Sequence, residues 1–362
     1  MRIKQQAKGF INSEHLVPAI FILLSFLAWQ YSGLSGNFVL NQVITRFIRD
    51  GILVLSLIVP VVAGMGLNFA ITVGAMAVQT SLLIVIGYQV EGVPGIILVI
   101  IIGVFFSALL GYLIGHILNR VKGKEMITTI IIGFLFNSIY QLIFLVGFGT
   151  IIDVPNKDII LTRGIGVRNT VDLGMYRDTI DKLWLLKIGG IEIPLFMILI
   201  VLLFAGFIFY ILRTHFGQEV KAVGSNTETS EILGINTNMI RIKVMILSTV
   251  LAAFGQLVYL QNIGMFDVYT AHLNTGVISC AALLAGGASI KSAKIRHALM
   301  GIFLFHTLFI VSPQAGQNLF SNAALGEYFR SFVAYGTIAL ALIFNVKHEN
   351  KYKKPVQKPE GV

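Results

Sequence analysis

Apolar residues fall in long blocks along this chain, and the polar residues gather between them. FMILIVLLFAGFIFYIL (Phe196 to Leu212) and VMILSTVLAAFGQLVYL (Val244 to Leu260) are typical blocks. A helix that crosses a bilayer needs roughly 20 mostly apolar residues at a rise of about 1.5 Å each. The blocks predict ten such spans, near 16–34, 51–70, 72–89, 94–117, 127–148, 193–212, 243–262, 276–289, 298–312 and 331–346. The second and third form one run from Gly51 to Gln89. At helical rise that run is about 58 Å long, nearly two crossings of a hydrocarbon core of about 30 Å. It must therefore turn back within itself, and GMGLNFAITVG (Gly64 to Gly74) is the expected place. Its three glycines and Asn68 tolerate backbone that leaves the helix, which at membrane depth survives only beside protein or a cavity.

Composition narrows the class. Hydrophobic residues make up 56% of the 362 and charged ones 12%, with a mean hydropathy of +0.83. Soluble domains carry about 25% charged residues, so this chain has too few to cover a water-facing surface. It reads as an all-α polytopic membrane protein, one transmembrane domain over 1–346 followed by a basic tail at 347–362. The net charge of +10 is explained by the positive-inside rule rather than by nucleic acid as a partner. With the N-terminus inside, the inner segments hold 18 of the 27 basic residues, at Arg2–Lys8, Arg120–Lys124, Arg213–Lys243, Lys291–Arg296 and Lys347–Lys358. The outer segments hold the rest. Six of these lie in the long 150–192 segment, and long segments translocate largely regardless of charge. Both termini are thus expected in the cytoplasm. Arg46 and Arg49, placed outside, fit this scheme least well.

The first span has a basic start, MRIKQQAK, but WQYSGLSGN lacks a small-x-small cleavage site, so retention is expected over signal cleavage. The single cysteine, Cys280, lies in an apolar block, where packing is its expected role.

One polar stretch stands out. GQEVKAVGSNTETSEILGIN (Gly217 to Asn236) lies between the sixth and seventh spans, on the inner side by this topology. Thr227 to Leu233 reads as a short helix, with Asn226 as N-cap, Glu228 and Glu231 in its first turns, and Gly234 as C-cap. Glu219 to Val223 reads as another helical turn, ended by Gly224. An ordinary inter-helix loop and a docking knob for another protein both fit this pattern.

The same stretch resembles the cytoplasmic signature of permease subunits in ABC importers for branched-chain amino acids, ribose-type sugars and nucleosides, commonly G-R-E-[VI]-R-A-V-G-x-N-x-x-A-A-x-x-x-G-I. Gly217, Glu219, Val220, Ala222, Val223, Gly224, Asn226, Gly234 and Ile235 match, while Gln218, Lys221, Thr229 and Ser230 depart from it. LSTVLAAFGQL (Leu247 to Leu257), CAALLAGGASIKSAKIRHALMGIFL (Cys280 to Leu304), GLNFAITVGAMA (Gly66 to Ala77) and EMITTIIIGFLFNSIY (Glu125 to Tyr140) are similar to further family segments, the last to nucleoside-type members. The resemblance implies a type II importer-like bundle of about ten helices in a bacterial or archaeal plasma membrane. It implies pairing with a second permease subunit, an ATPase subunit and an extracytoplasmic binding protein. Coupling to the ATPase then falls on Gly217, Glu219, Lys221, Gly224, Asn226, Glu228, Glu231 and Gly234 in the segment 213–241. The 150–192 segment is either a landing platform for the binding protein or a solvated loop.

No phosphate-binding G-x-x-x-x-G-K-[ST] occurs, so ATP and Mg are expected on the partner ATPase and no cofactor in this chain. No catalytic grouping and no metal-ligand spacing occurs, and the seven histidines are scattered singly. The expected spans contain almost no Asp, Glu, Lys or Arg, which argues against an ion-coupled carrier. Their polar residues are neutral. Asn68, Gln79 and Asn137 are the candidates for a path taken by a small neutral solute such as a sugar or nucleoside, against plain interhelical hydrogen bonding. Gly111 and Gly115 form a G-x-x-x-G pair suited to close helix packing. The rival function is an ATP-independent carrier or facilitator.

Overall fold

The computed structural model describes residues 13–162, 164–174, 183–322 and 324–332, with 335, 336, 338, 339 and 343. The basic N-terminus, the tail 347–362 and much of the expected span 331–346 lie outside the described residues. In chain order the helices are α1 (Ser13–Ser32), α2 (Gly36–Ser56), α3 (Ile58–Val62), α4 (Ile71–Gly87), α5 (Gly92–Arg120), α6 (Glu125–Leu142), α7 (Leu195–Ile211), α8 (His215–Ser225), α9 (Thr227–Ile232), α10 (Thr237–Ile263), α11 (Thr275–Ala285) and α12 (Ile295–Phe320). Residues 324–332 are helical as well.

Among the described residues, five helices are long and apolar enough to cross a membrane: α1, α5, α6 with its π turn to Gly147, α10 and α12. A sixth span arises if α7 and α8, bent by 75° at their junction, count as one. α4 and α11 are apolar but shorter, about 26 and 17 Å at helical rise. Outer faces of the long helices are bare hydrocarbon, such as Phe105 on α5 and Ile127 on α6. The protein is a helical, polytopic membrane protein.

The sequence reading goes wrong at α2. The second span was expected to begin at Gly51 with Arg46 and Arg49 in water, but the helix starts at Gly36, capped by the Ser35 hydroxyl, and carries Arg46, Arg49 and Asp50 inward. Their surroundings explain why. Arg49 Nε donates to Asn262 Oδ1 at 2.5 Å, and the Arg46 guanidinium lies 5.3 Å from the centre of the Phe309 ring. His306 Nε2 stands 2.9 Å from Asp50 Oδ2, off the line that a directed hydrogen bond needs. The expectation of helices almost free of ionisable residues therefore fails here. Partners on α10 and α12 keep these groups in a bundle interior, the condition under which such residues persist in membranes.

The predicted turn-back is present. α3 ends at Val62, and the chain runs non-helically to Ala70 with Gly64 and Gly66 both at φ +73°. α4 then leaves the break from inside the bundle. α10 is the central post, packed on α5, α4 and α2. A Cβ on Gly111 would stand 2.8 Å from Ile246 Cα, and one on Gly115 2.8 Å from Ile242 Cα, so the glycine pair does set a close α5–α10 crossing. Cys280 is buried in α11.

The two ends of the bundle differ. At one end β1 (Thr170–Asp172) pairs antiparallel with β4 (Met265–Asp267), and β2 (Leu185–Ile188) with β3 (Ile191–Pro194). Gly189 and Gly190, both at positive φ, make the tight hairpin turn. Asn37 and Asn41 on α2 donate to their carbonyls at 3.1 and 2.9 Å. At the other end lie α8, α9, the 121–124 turn and the 286–294 connection.

Candidate functional site

The break between α3 and α4 faces a cleft of about 360 Å³, in the range of small-molecule sites. Its walls come from the break (Phe69), the start of α4 (Thr72), α6 (Gly133, Phe134, Asn137), the turn before α11 (His272) and Tyr335. Local chemistry fixes the floor. Phe69 N–H is taken by Thr129 Oγ1 at 3.3 Å, and its carbonyl accepts from Thr72 Oγ1 at 3.1 Å. A Cβ on Gly133 would come within 3.1 Å of Thr72 Oγ1, and one on Gly276 within 3.1 Å of Phe69 O. Glycines there let α6 and α11 close on the break.

Two of the three predicted path residues meet at this cleft, through a residue the sequence reading passed over. His272 is buried, with Nδ1 2.8 Å from Gln79 Oε1 and Nε2 2.7 Å from Asn137 Oδ1. The Tyr140 ring packs edge-on at 5.0 Å. A buried imidazole with no carboxylate beside it is neutral, with one donor and one acceptor nitrogen. Two amide oxygens cannot both be matched, so one amide presents its NH₂ instead. Gln141 Nε2 also approaches Asn137 Oδ1, at 3.4 Å, which favours Asn137 as the acceptor and a ring protonated on Nε2. Gln79 Nε2 has no partner among the described residues as placed; turning that amide directs its NH₂ to Nδ1. Amide orientation follows from the network and not from the heavy atoms alone.

Asn68 is placed differently. Its Oδ1 accepts from Ala70 N–H at 3.0 Å, and its Nδ2 donates at 3.0 Å to Ser248 Oγ, which donates on to Ser56 O at 2.9 Å. It pins the break to α10 and α2 behind the cleft.

The coupling candidates form a compact hairpin. α8 is a helix of 11 residues, longer than the single turn expected, capped by Thr214. Asn226 caps α9 as predicted, its Oδ1 accepting from Thr229 N–H at 2.9 Å. Gly234 follows at φ +82°, just past Leu233. Gly217 is buried under α7, and Glu219 lies 3.6 Å from His215. Lys221 turns back to donate to Leu212 O at 2.7 Å, closing the end of α7. Glu228 is exposed. Glu231 accepts from Thr237 Oγ1 at 2.6 Å and from Lys122 Nζ at 3.4 Å, and these partners hold its carboxyl below its ordinary range. At the tip, Ile232 and Leu233 are 85% and 73% exposed, an apolar knob on an otherwise polar hairpin.

The hairpin touches the break directly. A Cβ on Gly64 would lie 3.0 Å from Gly224 Cα, and one on Gly224 3.0 Å from Gly64 N. The two backbones are in contact because neither has a side chain. Beside them, Arg241 on α10 pairs with Glu125 at 2.6 Å and donates to Asn119 Oδ1 at 3.0 Å and Leu118 O at 3.1 Å. That ties the foot of α6 to α10.

Residues 39–342 match the family model for the permease component of the branched-chain amino acid transport system. The chain is 30% identical over 188 residues to the probable ABC transporter permease protein YphD of Escherichia coli (strain K12), covering 51% of this chain and 53% of that one. It is 30% identical over 196 residues to the nucleoside ABC transporter permease protein NupB of Lactococcus lactis subsp. cremoris (strain MG1363), covering 53% and 50%. Against the xylose transport system permease protein XylH of E. coli K12 the identity is 27% over 132 residues, covering 36% and 33%. The chain thus spans about half the length of the curated relatives it matches best among these. No solved structure matches it. With the match running from the start of α2 to the last described helix, the chain belongs to the family of branched-chain amino acid transport system permease components.

Proposed function

We propose that this chain is the membrane-spanning subunit of an ATP-driven ABC importer, and that it passes a small neutral solute through the cleft between the α3–α4 break and α6. One observation carries the reading beyond family membership. The hairpin that matches the coupling signature lies with its backbone against Gly64, and Gly64 opens the segment whose far end, Phe69, walls the cleft. A push on α8 is passed through backbone, with no flexible side chain between to absorb it.

In this reading a partner ATPase receives the exposed tip of α9 and hydrolyses ATP with Mg, a second permease subunit completes the path, and an extracytoplasmic binding protein delivers the solute. The end carrying α8 and α9 is cytoplasmic. Arg120, Lys122, Lys124, Arg213, Lys221, Lys291, Lys294 and Arg296 gather there, as the positive-inside rule requires. Ten crossings, with both termini inside a bacterial or archaeal plasma membrane, fit the alternation of the helices. The hairpin and strands of 150–192 face outward, where a delivery protein docks.

The buried Asp50–His306 contact favours a second reading, an ion-coupled carrier that needs no ATPase. Labelling separates the models at the hairpin. A cysteine at Ser225, in a Cys280→Ala background, is expected to react with a membrane-impermeant maleimide only in inside-out vesicles. Reaction in intact cells overturns the topology. Glu228→Lys with Glu231→Lys is expected to abolish ATP-driven uptake while the protein still inserts; unchanged uptake overturns the docking role.

A further inference from the structure

The cleft also restricts its solute, on the reading just given that solute passes there. Its walls are mostly apolar, with the rings of Phe69, Phe134 and Tyr335 among them. Polar groups enter at Thr72, Asn137, His272 and the Tyr335 hydroxyl. Both His272 nitrogens are already held, by Gln79 and Asn137. The Thr72 proton goes to Phe69 O, which leaves the hydroxyl oxygen as an acceptor. Asn137 Oδ1 receives His272 and Gln141, so its Nδ2 is left as a buried-side donor for a ligand, with the Tyr335 hydroxyl on the opposite, exposed side.

A monosaccharide carries a hydroxyl on nearly every carbon. Through Thr72, Asn137 and Tyr335 this wall can pair about three of those groups, and it would strip water from the others without replacing it. A flat heteroaromatic ring has the opposite layout, with two apolar faces for aromatic contact and acceptors confined to its edge. We propose that the cleft selects flat heteroaromatic solutes of the nucleobase and nucleoside class over simple sugars. Asn137 Nδ2 reads the edge acceptor, and His272 is the positioning residue that fixes which way the Asn137 amide points. Were the ring to accept from Asn137 instead, the amide would turn its oxygen to the cleft and repel an edge acceptor.

The test uses the full chain in lipid nanodiscs with radiolabelled adenosine, uridine and ribose. Wild type is expected to bind either nucleoside at least about tenfold better than ribose, the scale on which one matched polar contact discriminates. Asn137→Asp keeps the shape and removes the donor; it should lower nucleoside binding about tenfold or more and leave ribose unchanged. His272→Leu should do the same, while His272→Gln, which still offers N–H to Asn137, should restore most of it. Phe134 is 68% exposed, so Phe134→Leu leaves the fold intact and should still lower nucleoside binding about fivefold or more through lost stacking. Ribose binding equal to that of the nucleosides, or nucleoside binding unaltered in both Asn137→Asp and Phe134→Leu, overturns the proposal. The permease reading is tested apart from it, with the partner ATPase and binding protein in proteoliposomes. ATP-driven uptake of ribose but not of nucleosides overturns the solute class alone, whereas no ATP-driven uptake of any solute overturns the permease reading.

Discussion

Arg241 and His272 are both buried, both sit among polar partners from distant helices, and both touch α6. At Arg241 the Nε and Nη2 donors meet Asn119, Leu118 and Glu125, the residue is not in the cleft wall, and the cluster is a brace. At His272 the ring is satisfied by two amides, one of which keeps a donor free beside a cavity. Burial does not separate structure from function here. What separates them is whether the network closes on itself or leaves one group facing open space.

The contrast breaks most sharply at the brace. Arg241→Ala strands the Glu125 carboxylate, and a half-removed buried pair costs about 3–5 kcal/mol. Thermal unfolding in detergent should show that loss, and the double change Glu125→Gln with Arg241→Met should recover most of it. A smaller effect is expected at the cleft. Gln79→Leu leaves His272 Nδ1 without the Gln79 NH₂ but strands no charge, so the loss should stay within about 1–3 kcal/mol. Equal destabilisation by the two single changes would erase the distinction drawn between the clusters.

The least costly change lies on the hairpin and depends on pH. The Glu231 carboxyl is held below its ordinary range by Thr237 and Lys122. Its grip on α9 is therefore fully present above the ordinary carboxylate range and is lost as pH falls through the lowered value. Hydrogen exchange over 227–237 should rise on acidification in the wild type. In Glu231→Gln it should be raised already at neutral pH and show no such step.

Some of this was legible in the residues. A 39-residue apolar run from Gly51 to Gln89 is too long for one crossing, so chain length alone announced the break. Asn226 three residues before Thr229, and Gly234 after Leu233, announced a capped turn, because both signals act within a few residues. The α2 start was missed because Arg46, Arg49 and Asp50 look like surface until their partners are known, and Asn262 is 213 residues from Arg49. His272 was missed for the same reason. Gln79 and Asn137 lie 193 and 135 residues away, so nothing near His272 in the chain marks it as buried. A local hint existed in α11: its 11 residues supply only part of a crossing, so the turn that leads into it lies inside the bundle. Asn68 was legible as special but not as to its purpose, since bracing the break and lining a path ask for the same amide.

The most direct measurement is solute flux in proteoliposomes holding this chain with its partner ATPase, the binding protein being supplied outside. The account predicts accumulation that needs ATP and vanishes when the ATPase is left out. Flux through the chain alone, downhill or driven by an ion gradient, would contradict it.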